Sequence, residues 1–340
     1  MKTAMFFGLK DIRVVDVDQL KIGPGEVLVK NQVALTCGTD VKTYLRGHPL
    51  WNPPVPFGHE AAGEVAAVGE GVTSFACGDR VVAHNSAPCN ICYYCARGQH
   101  SLCESITWTK GAFSEYQVIP APIVRQNMFN IPEYLSVKDA VLLEPFACAV
   151  YGISEAEIKL GDTVVVNGAG PIGLMLIRLA VMQGASVIVT DLSDMRLTLA
   201  LKLGASKAVN VSLVPDQVKA VKELTEDCRG VDVAIEAVGL PEVWEKTIGM
   251  CRKGGTVVLF GGPKPGSSII LDTKLMHYSQ LTLKGVFHTT PFHTRAAFAM
   301  IRQGVISGKD FISSEYCLDD LEKAILNHKS GEAIKNAIIF

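Results

Sequence analysis

The sequence predicts an α/β protein in which a doubly wound parallel sheet is joined to a smaller, loop-rich β region. From about residue 160, apolar strand-like runs alternate strictly with helical runs, and that rhythm requires a parallel sheet covered on both faces. Before it, the apolar runs are short and broken by glycine and proline, as in "KIGPGE" and "WNPPVPFG", which is the pattern of brief strands between turns. At 340 residues the chain exceeds one ordinary hydrophobic core, so two domains are expected, with insertion of one into the other an open arrangement.

The elements follow in order. "EVLVK" (26–30) and "GEVAAVG" (63–69) read as short strands of the first region. "DTVVVNGAG" is a buried strand entering a glycine turn, and "PIGLMLIRLAVMQG" a helix stopped by Gly184. "SVIVTD", "KAVNV", "VDVAIEAVG", "GGTVVLFGG" and "QLTLKGVF" are the next strands. "DMRLTLALKLG", "DQVKAVKELTED" and "PEVWEKTIGMC" are the helices between them. The tail reads as two helices, near 293–304 and 318–328, and a last strand near 335–339.

Composition narrows the function. Apolar residues at 48% against 19% charged place the chain among globular proteins. A net charge of −2, with no basic run, argues against nucleic acid as a partner. The N-terminal apolar run is short and ends at Lys10 and Asp11, unlike a signal peptide, and no apolar segment reaches the length of a membrane span. The expected location is the cytoplasm, where thiols stay reduced.

In "VVVNGAGPIG", Gly168, Gly170 and Gly173 have the G-x-G-x-x-G spacing, with Pro171 and Ile172 inside it. The turn follows a strand and opens a helix, the context a dinucleotide site demands. The first glycine permits the tight turn, the second lets a pyrophosphate approach the helix N-terminus, and the third lets helix pack on strand. Asp191 ends the next strand, eighteen residues beyond Gly173. Its carboxylate suits the two hydroxyls of an adenosine ribose and repels a 2′-phosphate, which points to NAD. Arg196, five residues on, speaks for NADP, and Asp191 is expected to outweigh it. Val238, after the fourth strand, completes the cofactor residues of this sheet. A glycine-rich turn with no ligand is the alternative.

The stretch "CNICYYCARGQHSLC" places Cys89, Cys92, Cys95 and Cys103 within fifteen residues. Two-residue gaps turn successive thiolates toward one centre, and the last gap returns the loop for the fourth. Four thiolates make a closed tetrahedral zinc site with no position for substrate, hence a structural one. A redox dithiol needs only two of them. A second set is scattered: Cys37 in "LTCGTDVK", His59 and Glu60 in "PFGHEAAGEV", and Glu144 in "LLEPFACAV". Singly these read as a core thiol, a structural histidine and a cap. Together they form a mixed sulfur, nitrogen and oxygen set suited to a zinc with an exchangeable position.

"GHEAAGEVAAVGEGV" resembles the zinc signature G-H-E-x-x-G-x₅-G-x-x-V of the medium-chain, zinc-containing alcohol dehydrogenases. The cysteine loop and "GAGPIG" occur in the order of that family, and the resemblance covers essentially the whole chain. "CGTD" and the glutamate of "LLEP" are similar to the sorbitol and threonine dehydrogenase branch. The resemblance implies a GroES-like zinc-binding catalytic domain at 1–150, completed by a return at 291–340. It implies an inserted Rossmann domain at 151–290, with the active site in the cleft between the two. It also implies two zinc ions per chain, NAD, and a homodimer or homotetramer built through the edge strand near 281–287. Cys37 and His59 are then the catalytic zinc ligands, with Glu60 and Glu144 alternating as ligand or as holders of its water. Thr39 relays the substrate proton and Asp40 orients His59. Val286 and Phe287 lie by the nicotinamide. Lys42 departs from the histidine that relatives often carry, which leaves it a contact to ribose or substrate oxygen. His288 is either a polar substrate contact or a loop histidine.

The implied reaction is hydride transfer between a secondary alcohol and NAD, the alcohol being a polyol, a sugar acid or a similar small molecule. Zinc acts as Lewis acid, and the two domains hold substrate against cofactor. Oxidation of an amino alcohol, as in an L-threonine 3-dehydrogenase, is the nearest alternative. A zinc-free enone or quinone reductase of the same fold, and a zinc module that binds a macromolecule, are the rival classes. Tyr44, His48 and Trp51 are expected to shape the substrate pocket. Cys77, Cys148, Cys228, Cys251 and Cys317 are read as thiols without chemistry.

Overall fold

Val27–Leu35 is apolar at most of its positions and becomes the middle of a sheet, buried on both faces. In the computed structural model, which describes residues 1–49 and 51–340, this strand pairs antiparallel with Ala61–Val68, Tyr116–Ile119 and the C-terminal strand Lys335–Ile339. Arg80–Ala83 and Met128–Asn130 extend one side and Ile312–Cys317 the other. Lys2–Gly8, Asp11–Asp16 and Val55–Pro56 form a second, three-stranded sheet. Phe6, Trp51, Phe57 and Phe113 pack with Leu321, Ile325 and Ile338 in one buried cluster. That shared core is why the two ends of the chain form a single unit, Met1–Ala147 with Thr290–Phe340.

The strand Ile312–Cys317 and the short helix Gly308–Phe311 before it are absent from the sequence reading. The strand alternates half-buried and exposed residues at the edge of the sheet, and "ISSEYC" carries too little apolar signal to stand out.

The second unit is Cys148–Thr289. Its six parallel strands run in the order Lys207–Asn210, Ser186–Asp191, Thr163–Asn167, Val231–Glu236, Cys251–Leu259, Thr282–Gly285. Val164, Val165 and Val166 are wholly buried, as a strand covered on both faces must be. The chain enters the sheet at Thr163–Asn167, winds outward one way, then returns to build the other side. The carboxyl end of that first strand is therefore the topological switch point, where ligands bind in open α/β sheets. The helices Pro171–Met182, Asp194–Lys202, Gln217–Glu223 and Pro241–Met250 make the crossovers. Among the described residues, no helix is long and apolar enough to cross a membrane.

Candidate active site

Cys37 caps the helix Gly38–Arg46. Its Sγ accepts from Thr39 N at 3.4 Å, and Asp40 Oδ2 accepts from Cys37 N at 2.9 Å, closing a capping box. The cap holds the sulfur at the helix N-terminus, fixed toward His59 and Glu60. Asp40 is fully buried, and its other oxygen lies 3.1 Å from His59 Nδ1. A proton on Nδ1 is thereby favoured, and Nε2 is left as the ligating nitrogen. His59 Nε2 is 3.9 Å from Glu60 Oε1, and donor atoms of Cys37, His59 and Glu60 all lie within 4.8 Å of one another.

Lys335 is the residue that sequence reasoning missed. Pairing of Lys335–Ile339 with Val27–Leu35 brings it to the foot of the site. Its ammonium lies 2.9 and 2.8 Å from the two Glu60 oxygens and donates to Thr36 O at 2.9 Å. The Lys335 side chain is 1% exposed and that of Glu60 0%. Asn336 N donates to Thr36 Oγ1 at 3.0 Å, locking the same strand. The available signal was a lysine leading a final strand that ends in an apolar run, "KNAII".

Glu144 opens the helix Leu143–Glu155 and is buried. It stands outside the Cys37, His59 and Glu60 set, with Oε1 3.9 Å from His84 Nε2. Burial pushes its carboxyl up to about 7, against the pull of the neighbouring His59. Burial also raises Glu60, while Lys335 acts in the opposite sense. Burial disfavours charge on His59, yet Asp40 and Cys37 hold its pKa well above the ordinary histidine value. A water-poor site that stabilises a cation between a thiol and carboxylates fits a metal ion in both donor type and charge. Lys335, in contact with both Glu60 oxygens, offsets part of the negative charge that the carboxylates bring to this buried place.

Cys89, Cys92, Cys95 and Cys103 also converge, with sulfurs within 4.8 Å of one another. Short 3₁₀ turns at Cys95–Arg97 and His100–Leu102 fold the loop back. Cys103 Sγ accepts from Cys89 N at 3.2 Å and from Ser105 N at 3.4 Å. Backbone donors pull the Cys92 thiol down to about 6, and burial pushes Cys95 up to about 12. Four soft donors around one centre, already served by amide N–H groups, fit a closed tetrahedral metal.

In the second unit, Gly168 has φ +111° and a Cβ there would lie 2.6 Å from Val238 Cγ2. A Cβ on Gly173 would lie 1.9 Å from Gly168 O, whereas one on Gly170 meets nothing within 4 Å. The turn is thus closed inward and open at Gly170, the N-cap of Pro171–Met182, with Pro171 and Ile172 in its first turn. That is the cradle a pyrophosphate needs. Asp191 Oδ2 accepts from Ala169 N at 2.7 Å and Oδ1 from Ser193 N at 2.9 Å, so the carboxylate is fixed beside the turn. Arg196 sits in the first turn of the following helix. Val238 N donates to buried Glu236 at 2.8 Å. Val286 is half-buried, its N–H on Leu259 O at 3.2 Å, and Phe287 is exposed.

Of the three residues expected to shape the substrate pocket, Tyr44 is otherwise engaged. Its hydroxyl bonds Glu322 and is raised to about 12 by that contact, and its ring is in the core cluster. Trp51 does stand by the site, its ring centroid 6.2 Å from that of His59. His48 is lowered by burial and by the nearby charges of His59, Arg46, Lys42 and Lys110.

Residues 23–133 match the family model for the alcohol dehydrogenase GroES-like domain, and 171–303 match that for the zinc-binding dehydrogenases. The chain is 30% identical to sorbitol dehydrogenase of Bacillus subtilis, over 96% of this chain and 92% of that protein. It is 34% identical to L-threonine 3-dehydrogenase of Edwardsiella ictaluri, over 95% of each. Among solved structures, a proposed zinc-binding dehydrogenase from Sinorhizobium meliloti bound to NADP aligns with a TM-score of 0.92 at 30% identity, over 100% of this chain and 99% of that one. The 2R,3R-butanediol dehydrogenase of Bacillus subtilis aligns with a TM-score of 0.87 at 30% identity, with the same coverage. The chain belongs to the zinc-containing medium-chain alcohol dehydrogenases, on the sorbitol and threonine dehydrogenase branch, and is an alcohol oxidoreductase that works with zinc and a nicotinamide cofactor.

Proposed function

We propose that the chain oxidises the secondary alcohol of a hydroxylated small molecule and passes the hydride to NAD, with two zinc ions per chain. The observation that carries this is the convergence of half-buried Cys37 with buried His59 and Glu60, the last paired with Lys335. A zinc ion there supplies a Lewis acid that lowers the pKa of the alcohol toward neutrality. Cys37 and His59 would hold it, Glu60 and Glu144 would alternate as ligand or as holders of its water, and Asp40 keeps the His59 ring in the ligating tautomer. Thr39, two residues from Cys37 on the helix N-terminus, takes the hydroxyl proton outward. Cys89, Cys92, Cys95 and Cys103 hold the second ion, which pins their loop.

NAD is favoured over NADP because the fixed Asp191 carboxylate would face a 2′-phosphate with like charge. Gly168, Gly170 and Gly173 cradle the pyrophosphate, with Val238, Val286 and Phe287 on the nicotinamide side. The relatives named for sorbitol, threonine and butanediol support a secondary alcohol as substrate. The gathered donor set speaks against a zinc-free reductase. All ten cysteines are free thiols, in keeping with a cytoplasmic home. The edge strand Thr282–Gly285 is the surface we expect to pair in a homo-oligomer.

Cys37→Ala tests the assignment. It should remove one zinc per chain and abolish alcohol oxidation, while NADH binding, which uses the other unit, persists. Thr39→Ala should slow turnover at least about tenfold with both ions retained. An active Cys37→Ala enzyme would refute the metal assignment.

A further inference from the structure

We infer that Glu236 is a positioning residue for the nicotinamide half of the cofactor: its buried carboxylate ties together the two loops that serve that half. This rests on the dehydrogenase reading above and adds to it a residue that touches no reacting atom.

The sheet order assigns the two halves of a dinucleotide. The glycine turn leaves the carboxyl end of Thr163–Asn167, with Ser186–Asp191 on one side and Val231–Glu236, then Cys251–Leu259, on the other. With the pyrophosphate on the turn and the adenosine ribose toward Asp191, the nicotinamide half is left the carboxyl ends of Val231–Glu236 and Cys251–Leu259. Those ends lead into the loops 237–239 and 260–262.

Glu236, the last residue of its strand, is fully buried. Its Oε1 accepts from Val238 N at 2.8 Å and from Gly239 N at 2.7 Å, both in the first loop. Its Oε2 accepts from Gly261 N at 3.1 Å, in the second. Trp244 Nε1, on the helix Pro241–Met250, donates to Gly261 O at 3.1 Å and holds the second loop from its other side. The two backbones meet closely, since a Cβ on Gly261 would lie 2.3 Å from Gly239 N and 2.6 Å from Glu236 Oε2. The first loop in turn walls the glycine turn. Val238 Cγ2 stands 2.6 Å from where a Cβ of Gly168 would be, and Ala237 Cβ 3.6 Å from where one of Gly173 would be. Val238 is exposed, so the placed loop presents an apolar surface beside the turn.

A carboxylate in this place is costly. Burial raises its pKa, against the pull of the N–H groups of Gly239, Val238 and Gly261. An apolar side chain would fill the space without that cost, but it would leave the three amides unserved. Two acceptor oxygens serve both loops at once. Glutamine cannot, because in either orientation of its amide the NH2 group faces a backbone N–H, donor to donor.

The test is equilibrium binding to zinc-loaded wild type and Glu236→Gln, with NADH and with AMP, which carries only the adenosine half and one phosphate. Glu236→Gln should weaken NADH about 10-fold or more, and the emission of bound NADH should move toward that of the free cofactor. AMP binding and zinc content should stay as they are, because Asp191 and the metal ligands are untouched. Trp244→Phe, which removes the N–H on Gly261 O, should weaken NADH about threefold with AMP again unaffected, and it carries the test if Glu236→Gln does not fold. Equal losses for NADH and AMP would show a general loosening of the unit. Unchanged NADH binding in both variants would show that the loops hold without Glu236. Either result overturns the inference and leaves the dehydrogenase reading intact. A wild type that binds neither NADH nor NADPH would overturn both.

Discussion

Replacing Lys335 with methionine removes the ammonium that the structure places on both oxygens of Glu60, at 2.9 and 2.8 Å. Both side chains are out of water, at 1% and 0% exposure, so the Glu60 carboxylate would be left buried with the more distant His59, 3.9 Å away, as its remaining cationic neighbour. Breaking a buried pair in this way costs about 3–5 kcal/mol. Lost donation to Thr36 O adds a smaller amount, about 1 kcal/mol. Together, for a unit of this size, that is a fall in Tm on the order of 8–24 °C. The assay is thermal unfolding of four proteins: wild type, Lys335→Met, Glu60→Gln, and the double variant. Glu60→Gln makes the charge of Lys335 less necessary, so the double variant should be more stable than the single effects added together, by about 2 kcal/mol or more. The gap should widen after chelation, because a bound dication also balances Glu60. A Lys335→Met protein within about 1 kcal/mol of wild type, or no coupling in the cycle, would refute the charge-balance argument.

Two further outcomes are expected. Cys95→Ser should lose one zinc per chain and unfold at lower temperature, while any folded fraction still oxidises alcohol, because the four-thiol set is separate from the Cys37 set. Full stability with no metal lost, by metal analysis and thermal melt, would count against a closed site. In chelated protein, Glu144 makes stability depend on pH. Its folded pKa is raised to about 7 from 4.5, so its share is fully present below pH 4.5 and disappears as pH rises through 7, about 3 kcal/mol in all. Unfolding free energies from urea titrations at pH 5 and pH 8 should differ by about 2.5 kcal/mol more in wild type than in Glu144→Gln, and equal pH profiles would show that Glu144 is not held in a charge-averse place.

Much of this protein is written in short-range pattern. The glycine turn is legible because Gly168 and Gly173 answer to steric limits within a few residues of themselves, and the strand before and helix after are set by the same stretch. The four-cysteine loop is legible because its spacing alone lets the sulfurs meet. Strand and helix alternation likewise announces the parallel sheet.

What only the tertiary structure decided is the company each charged group keeps. Glu60 meets Lys335 across 275 positions of sequence, and that contact depends on the C-terminal strand pairing with Val27–Leu35 in one register. Tyr44, read from sequence as a pocket residue, is turned to Glu322 by the helix Leu321–Ser330, 278 positions away. Local sterics and spacing act along the chain and can be read along it. Desolvation and charge pairing act through space, and no window of sequence contains both partners.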